Sequence, residues 1–166
     1  MITQGNDKNK LIAYVDGSYN DDIGKYAFGC VFITPDENIR LALGNGNNPE
    51  TVSMRNITGE MLGAMYAVRT AMKNGYHSIE LYYDYMGIEM WATGQWKCKK
   101  EHTQKYAEAM KNWGKSIEIV FHKVTAHSNV KYNELADQTA KRGLTEGNGV
   151  PPVCMLEELE QWNQSD

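Results

Sequence analysis

The sequence predicts an α/β domain built on a mixed sheet, and three observations predict it. Residues 11 to 46 hold three strand-like runs joined by connections only a few residues long. Connections that short pair strands antiparallel. From Asn56 onward, apolar residues recur at helical spacing, and these stretches alternate with further strand-like runs. Such alternation marks crossovers to parallel strands. Finally, 166 residues with 42% hydrophobic and 23% charged side chains suit one domain with a core large enough to fold unaided.

The elements follow in order. Residues 1–10, MITQGNDKNK, are polar, have no apolar core of a secretory signal and are expected as a flexible arm. LIAYV, 11–15, is the first strand, stopped by Asp16-Gly17-Ser18. A turn at Asp21-Asp22 leads into KYAFGCVFI, and the turn Thr34-Pro35-Asp36-Glu37-Asn38 leads into IRLALGNG. The first helix is ITGEMLGAMYAVRTAMKNG: Met61, Met65, Val68 and Met72 repeat along one face, Asn56 or Thr58 can cap it, and Gly75 can end it. HSIELYYD is the fourth strand. MGIEMWATG is a short helix or turn interrupted by Gly94, and KEHTQKYAEAMKNWG is a helix closing near Gly114. SIEIVFHKV, rich in β-branched residues, is the fifth strand. VKYNELADQTAKRG is a helix with Leu135, Ala136, Thr139 and Ala140 inward and Gly143 as its stop. Residues 11–143 thus form the folded domain, and 144–166 an acidic tail with one short helix in MLEELEQW.

The first three strands form an antiparallel meander. A right-handed crossover lays the fourth strand parallel beside the first. In such sheets, sites form at the carboxyl ends of the parallel strands. Asp16 and Asp84 end the two strands that become neighbours.

Composition removes several function classes. A net charge of −4 disfavours binding to nucleic acid by bulk electrostatics and leaves room only for a local basic patch. No apolar run reaches membrane length. Cys30, Cys98 and Cys154 are odd in number and far apart, which argues against a disulfide framework or a structural zinc site. Reduced thiols in a cytoplasm are the simplest reading.

Three acids sit awkwardly for purely structural roles. Asp84 lies in ELYYDYMGI, where a strand disfavours Asp unless it turns there. Asp16 ends the first strand, and Asp137 lies inside a helix, where Asp is a poor former. Glu60, in the first turn of the first long helix, suits the helix dipole but is flanked by Gly59 and Gly63. Each acid alone reads equally as a turn, a cap neighbour or a solvated face. Gathered, such carboxylates repel and call for a cation. Hard oxygen donors without cysteine suit Mg²⁺ or Mn²⁺, and two such ions flank a phosphodiester in hydrolysis.

YVDGSYN, NITGEMLGAMYAV, LYYDYMGI and VTAHSNVKYNELADQTAKRG, in that order, resemble the motifs of the type 1 ribonuclease H family, in its short form without the long basic handle. The resemblance covers residues 11–143. It implies the ribonuclease H-like fold, a mixed five-stranded sheet with strands 4 and 5 parallel to strand 1 and helices on both faces. It implies an endoribonuclease that cuts the RNA strand of RNA–DNA hybrids with two Mg²⁺ ions, Mn²⁺ being an alternative, and leaves 5′-phosphate and 3′-hydroxyl ends. Asp16, Glu60, Asp84 and Asp137 are then the metal ligands, and His127 assists proton transfer or product departure. Gly17 and Ser18 amides and the Asn56 side chain contact the hybrid; Asn56 reads equally well as a helix cap. Trp91 with Lys97, Lys99 and Lys100 suits a DNA strand by stacking and phosphate contact, or forms an ordinary solvated helical surface. Two residues depart from the family pattern: Ile57, where an amide often follows Asn56, and Tyr85, where Ser often follows the third acid. The expected partner is a hybrid duplex, without a membrane, and the chain is expected as a cytoplasmic monomer. Other metal nucleases share such a fold, as do hybrid-binding modules and reverse-transcriptase domains. The full acid set and the His-to-Asp spacing argue against an integrase-like enzyme and a mere binding module.

Overall fold

The computed structural model describes residues 10–52, 54–125 and 131–164. β1 (Lys10–Asn20), β2 (Lys25–Ile33) and β3 (Ile39–Gly46) form the antiparallel meander that their short turns require. After the single-turn helix α1 (Pro49–Val52), the long helix α2 (Asn56–Lys73) crosses over to β4 (Ser78–Tyr83), which pairs parallel with β1. The helices α3 (Gly87–Ala92) and α4 (Glu101–Trp113) then lead to β5 (Glu118–Lys123), parallel to β4. α5 (Lys131–Glu146) follows, and β6 (Glu160–Trp162) closes the sheet in the order β5-β4-β1-β2-β3-β6.

Alternation along β1 sorts its side chains into two layers. Leu11, Ala13 and Val15 are fully buried with Phe28, Cys30 and Phe32 under α2, α3 and α4. The opposite face packs Val31, Ile39 and Leu41 against Leu135 and Ala136 of α5. Among the described residues, no helix is long and apolar enough to cross a membrane.

The structure differs from the sequence expectations at four places. The sheet has six strands rather than five. The extra strand, β6, pairs with β3 through Ile39↔Trp162 and Leu41↔Glu160, in a segment expected to form a short acidic helix. Only Leu156–Glu158 is helical there, as one 3₁₀ turn. β1 does not stop at Asp16, because its pairing with β2 continues to Asn20↔Lys25 while its parallel pairing with β4 ends at Tyr14↔Tyr82. Nor does Gly143 stop α5. It lies inside the helix, where an added Cβ would come within 2.9 Å of the Gly44 carbonyl oxygen, so the glycine permits close packing on β3. Asn56 is the first residue of α2 and no side chain caps that end; Thr58 Oγ1 donates instead to the Thr51 carbonyl at 2.7 Å.

Candidate active site

Asp16 stands where β1 outruns its parallel neighbour. Carrying the Tyr14↔Tyr82 register two residues onward sets Asp16 beside Asp84, which follows the last residue of β4. Asp16 and its cross-strand partner Gly29 share the α5 face. The backbone of α5 lies directly on Gly29: an added Cβ there would be 2.4 Å from Ala140 N and 2.7 Å from the Ala136 oxygen. That close approach delivers Asp137, the next residue after Ala136, to Asp16, and the two carboxyl groups are within hydrogen-bonding reach.

α2 arrives on the other face by the same device. A Cβ on Gly59 would be 2.0 Å from the Ala27 carbonyl oxygen, and one on Gly17 would be 2.5 Å from Glu60 N. Glycines at both positions therefore seat the first turn of α2 against the sheet, with Glu60 4% exposed. Its carboxylate accepts the Asp84 N–H at 2.6 Å and the Tyr85 N–H at 3.2 Å. Glu60 thus fixes the backbone from which Asp84 projects, and Asp84 itself is exposed.

Burial, followed by the charges of Asp137 and Asp84, pushes the Asp16 carboxyl from 3.8 up to about 7, against the pull of the Gly17 N–H that donates to it at 2.8 Å. Burial and the neighbouring Asp16 and Asp84 push Glu60 from 4.5 up to about 8, although the Asp84 and Tyr85 amides pull it down. Asp137 has its side chain 43% exposed and is paired with Lys141 at 3.0 Å. Among the described residues no three acidic, histidine or cysteine side chains already cage an ion. Glu60 faces two amides and Asp137 a lysine, and the four acids lie close enough to act on one another's charge. The donor set is all carboxylate, partly desolvated and mutually repelling, which fits a hard divalent cation.

These shifts carry a stability prediction with a definite sign. Both carboxyls hold protons more tightly folded than unfolded, so stability falls as pH rises from about 4 to about 8. Denaturant midpoints of EDTA-treated protein should be lower at pH 8.5 than at pH 5. Glu60→Gln keeps one acceptor oxygen for the Asp84 N–H and should raise the pH 8.5 midpoint. A flat profile in the wild-type protein would contradict the account.

The remaining predicted site residues are distributed along the chain. His127 is outside the described residues. Gly17 is buried, and its N–H is engaged by Asp16. Ser18 is half-buried on β1, and Asn56 is exposed at the start of α2. Trp91 packs with Tyr85 and Trp96 at ring separations of 5.7 Å and 6.0 Å. Tyr85 thus joins an aromatic cluster with Trp91 and Trp96, and Lys97, Lys99 and Lys100, next in sequence, are exposed. Residue-by-residue reading missed Gly29 and Gly59 as enabling positions. A glycine inside KYAFGCVFI was the available signal, since mid-strand glycine often marks a close backbone approach.

A family model described as RNase H matches residues 8–145. The chain is 26% identical over 152 residues to a ribonuclease H of Prosthecochloris aestuarii, covering 82% of this chain and 97% of that protein. Its fold is similar to RNase H1 from the halophilic archaeon Halobacterium salinarum NRC-1, with a TM-score of 0.66, 23% identity and coverage of 83% and 99% of the two chains. It is also similar to LC11-RNase H1, whose crystal structure is in complex with an RNA/DNA hybrid: TM-score 0.63, 16% identity, coverage of 81% and 99%. Motif order, sheet topology and the family match agree, and the chain belongs to the RNase H family of enzymes.

Proposed function

We propose that this protein is an endoribonuclease that hydrolyses the RNA strand of RNA–DNA hybrids, using Asp16, Glu60, Asp84 and Asp137 to hold two Mg²⁺ ions, or Mn²⁺ in their place. The observation that supports the reading is that Asp16, Glu60, Asp84 and Asp137 gather beyond the β1–β4 pair, with Asp16 and Glu60 raised by burial and mutual repulsion. Divalent ions held by Asp16, Glu60, Asp84 and Asp137 would supply Lewis-acid activation of a water and stabilisation of the leaving oxygen. Asp16 is central, since Asp137 and Asp84 both act on its charge. Glu60 holds the Asp84 backbone in place through two amides. In the reaction the water oxygen bonds to phosphorus, the bond to the 3′ oxygen breaks, and that oxygen takes a proton. RNA is distinguished from DNA by its 2′-hydroxyl. The Asn56 side chain, exposed and free of a capping duty, and the Ser18 backbone are assigned to the RNA side, whereas the buried Gly17 N–H is taken by Asp16. Trp91, Lys97, Lys99 and Lys100 are assigned to the DNA side.

We place the protein in the cytoplasm as a monomer with residues 11–143 as its catalytic unit; its three free cysteines support a reducing compartment. Mass spectrometry of the products tests the chemistry. Fragments with 5′-phosphate and 3′-hydroxyl ends are expected. Fragments ending in a 2′,3′-cyclic phosphate would mean that the RNA's own 2′-hydroxyl attacked, and would overturn the reading. His127→Ala should slow single-turnover cleavage about a hundredfold, the usual scale of a lost proton-transfer group, without abolishing it. A completely inactive, folded variant would contradict the role given to His127.

A further inference from the structure

Residues 147–162 lie beyond the residues 8–145 that match the family, yet they bind both layers of the fold. Buried Asn45 on β3 anchors their start: its Nδ2 donates to the Gly143 and Gly147 oxygens at 2.9 Å each, and its Oδ1 accepts from Gly149 N at 3.0 Å. The segment then crosses the α2 layer. Tyr66 Oη donates to the Pro152 oxygen at 3.2 Å, and Asn74 brackets Cys154 and Leu156 with bonds of 3.1 and 2.9 Å. Arg40 on β3 ties down the Glu157 and Leu159 carbonyls. β6 then brings Trp162 into the cluster of Leu135, Ala136 and Tyr132 on α5, and Glu160 to Arg142 of α5 at 2.9 Å.

We infer that this segment is a strap that sets the position of α5, and with it Asp137, relative to Asp16; the inference rests on the metal-binding reading above. Over Gly29, α5 meets β2 backbone to backbone, while Leu135 and Ala136 pack farther along against Val31, Ile39 and Leu41. A backbone contact lets a helix come close and does little to stop it sliding, since ridge-and-groove packing needs side chains. The strap adds two further stops. Asn45 holds the Gly143 end of α5, and Trp162, paired with Ile39, packs on the apolar cluster that Leu135 and Ala136 of α5 share with β2 and β3. Trp162 and Glu160 are therefore positioning residues that act through α5.

The test uses the full chain, with Mg²⁺ alone as the calorimetric probe and amide hydrogen exchange as a second readout. Trp162→Ala should weaken Mg²⁺ binding about tenfold, as loss of a positioning partner commonly does. It should also speed exchange in α5 while leaving α2 unchanged, and Trp162→Phe should recover both. Should Trp162→Ala fail to fold, Glu160→Gln is expected to shift both readouts the same way by less. Wild-type Mg²⁺ affinity in a folded Trp162→Ala, or unchanged α5 exchange in either variant, overturns the inference. If the wild-type protein binds no Mg²⁺ and cuts no hybrid, the functional reading fails, and the α5 exchange still decides whether the strap holds the helix.

Discussion

Asp16→Asn is expected to lower the rate of hybrid cleavage by at least about a thousandfold while hybrid binding is kept. The reason is positional. Asp16 is the acid on which both Asp84 and Asp137 act, and Glu60 is raised by it in turn. Asn preserves the shape and one acceptor oxygen but removes the charge that collects a cation. Groups acting as one unit fail together, so a single loss removes most of the catalysis. On the proposed reading, duplex binding would rest on backbone contacts elsewhere, and losing a negative charge near a phosphate would not weaken it. Single-turnover cleavage with a binding assay at matched salt separates the two effects. Asp84→Asn should behave alike. A wild-type rate in either variant would remove that residue from the ligand set.

Gly59→Ala should destabilise the protein by about 3 kcal/mol, at the upper end of the usual overpacking penalty. On helix propensity alone the change would be favourable by about 1 kcal/mol. Packing reverses the sign, because the new Cβ would sit 2.0 Å from the Ala27 carbonyl oxygen and 3.0 Å from its carbon. Neither atom belongs to a side chain that can swing aside. α2 must lift, which pulls Glu60 from the Asp84 and Tyr85 amides. At this chain length the loss corresponds to a fall in melting temperature of about 10 °C. Cleavage should also drop in the fraction that stays folded. A melting temperature equal to or above the wild-type value would show that the first turn of α2 does not seat on the sheet as described.

Much of this was legible in the sequence, for identifiable reasons. β2 and β3 fall on the residues expected of them, because turn signals bracket two β-rich runs. Asp84 was readable as a carboxylate at a strand end, but alone among three tyrosines it reads as a turn, and only Asp16, Glu60 and Asp137 beside it point to a ligand. The placement of Asp16 was only half legible. A strand paired differently on its two sides has two ends, and local composition shows neither. The Glu160–Trp162 strand left no signal, since three residues are too few for an alternating pattern and acidic neighbours suggest helix. It forms because β3 offers an unpaired edge and Arg40 and Arg142 fix the approach. Tyr85 could not be assigned from its position, because the direction of its ring depends on Trp91 and Trp96, several residues away.

The central claim is that this cluster of carboxylates cuts RNA only when RNA is paired with DNA and only with a divalent cation. It is tested by giving the metal-free protein labelled hybrid, duplex RNA and duplex DNA of one sequence, each with Mg²⁺ and with EDTA. The account predicts cleavage of the RNA strand of the hybrid alone, and none with EDTA. An intact hybrid in Mg²⁺, equal cutting of duplex DNA, or undiminished cleavage in EDTA would contradict it.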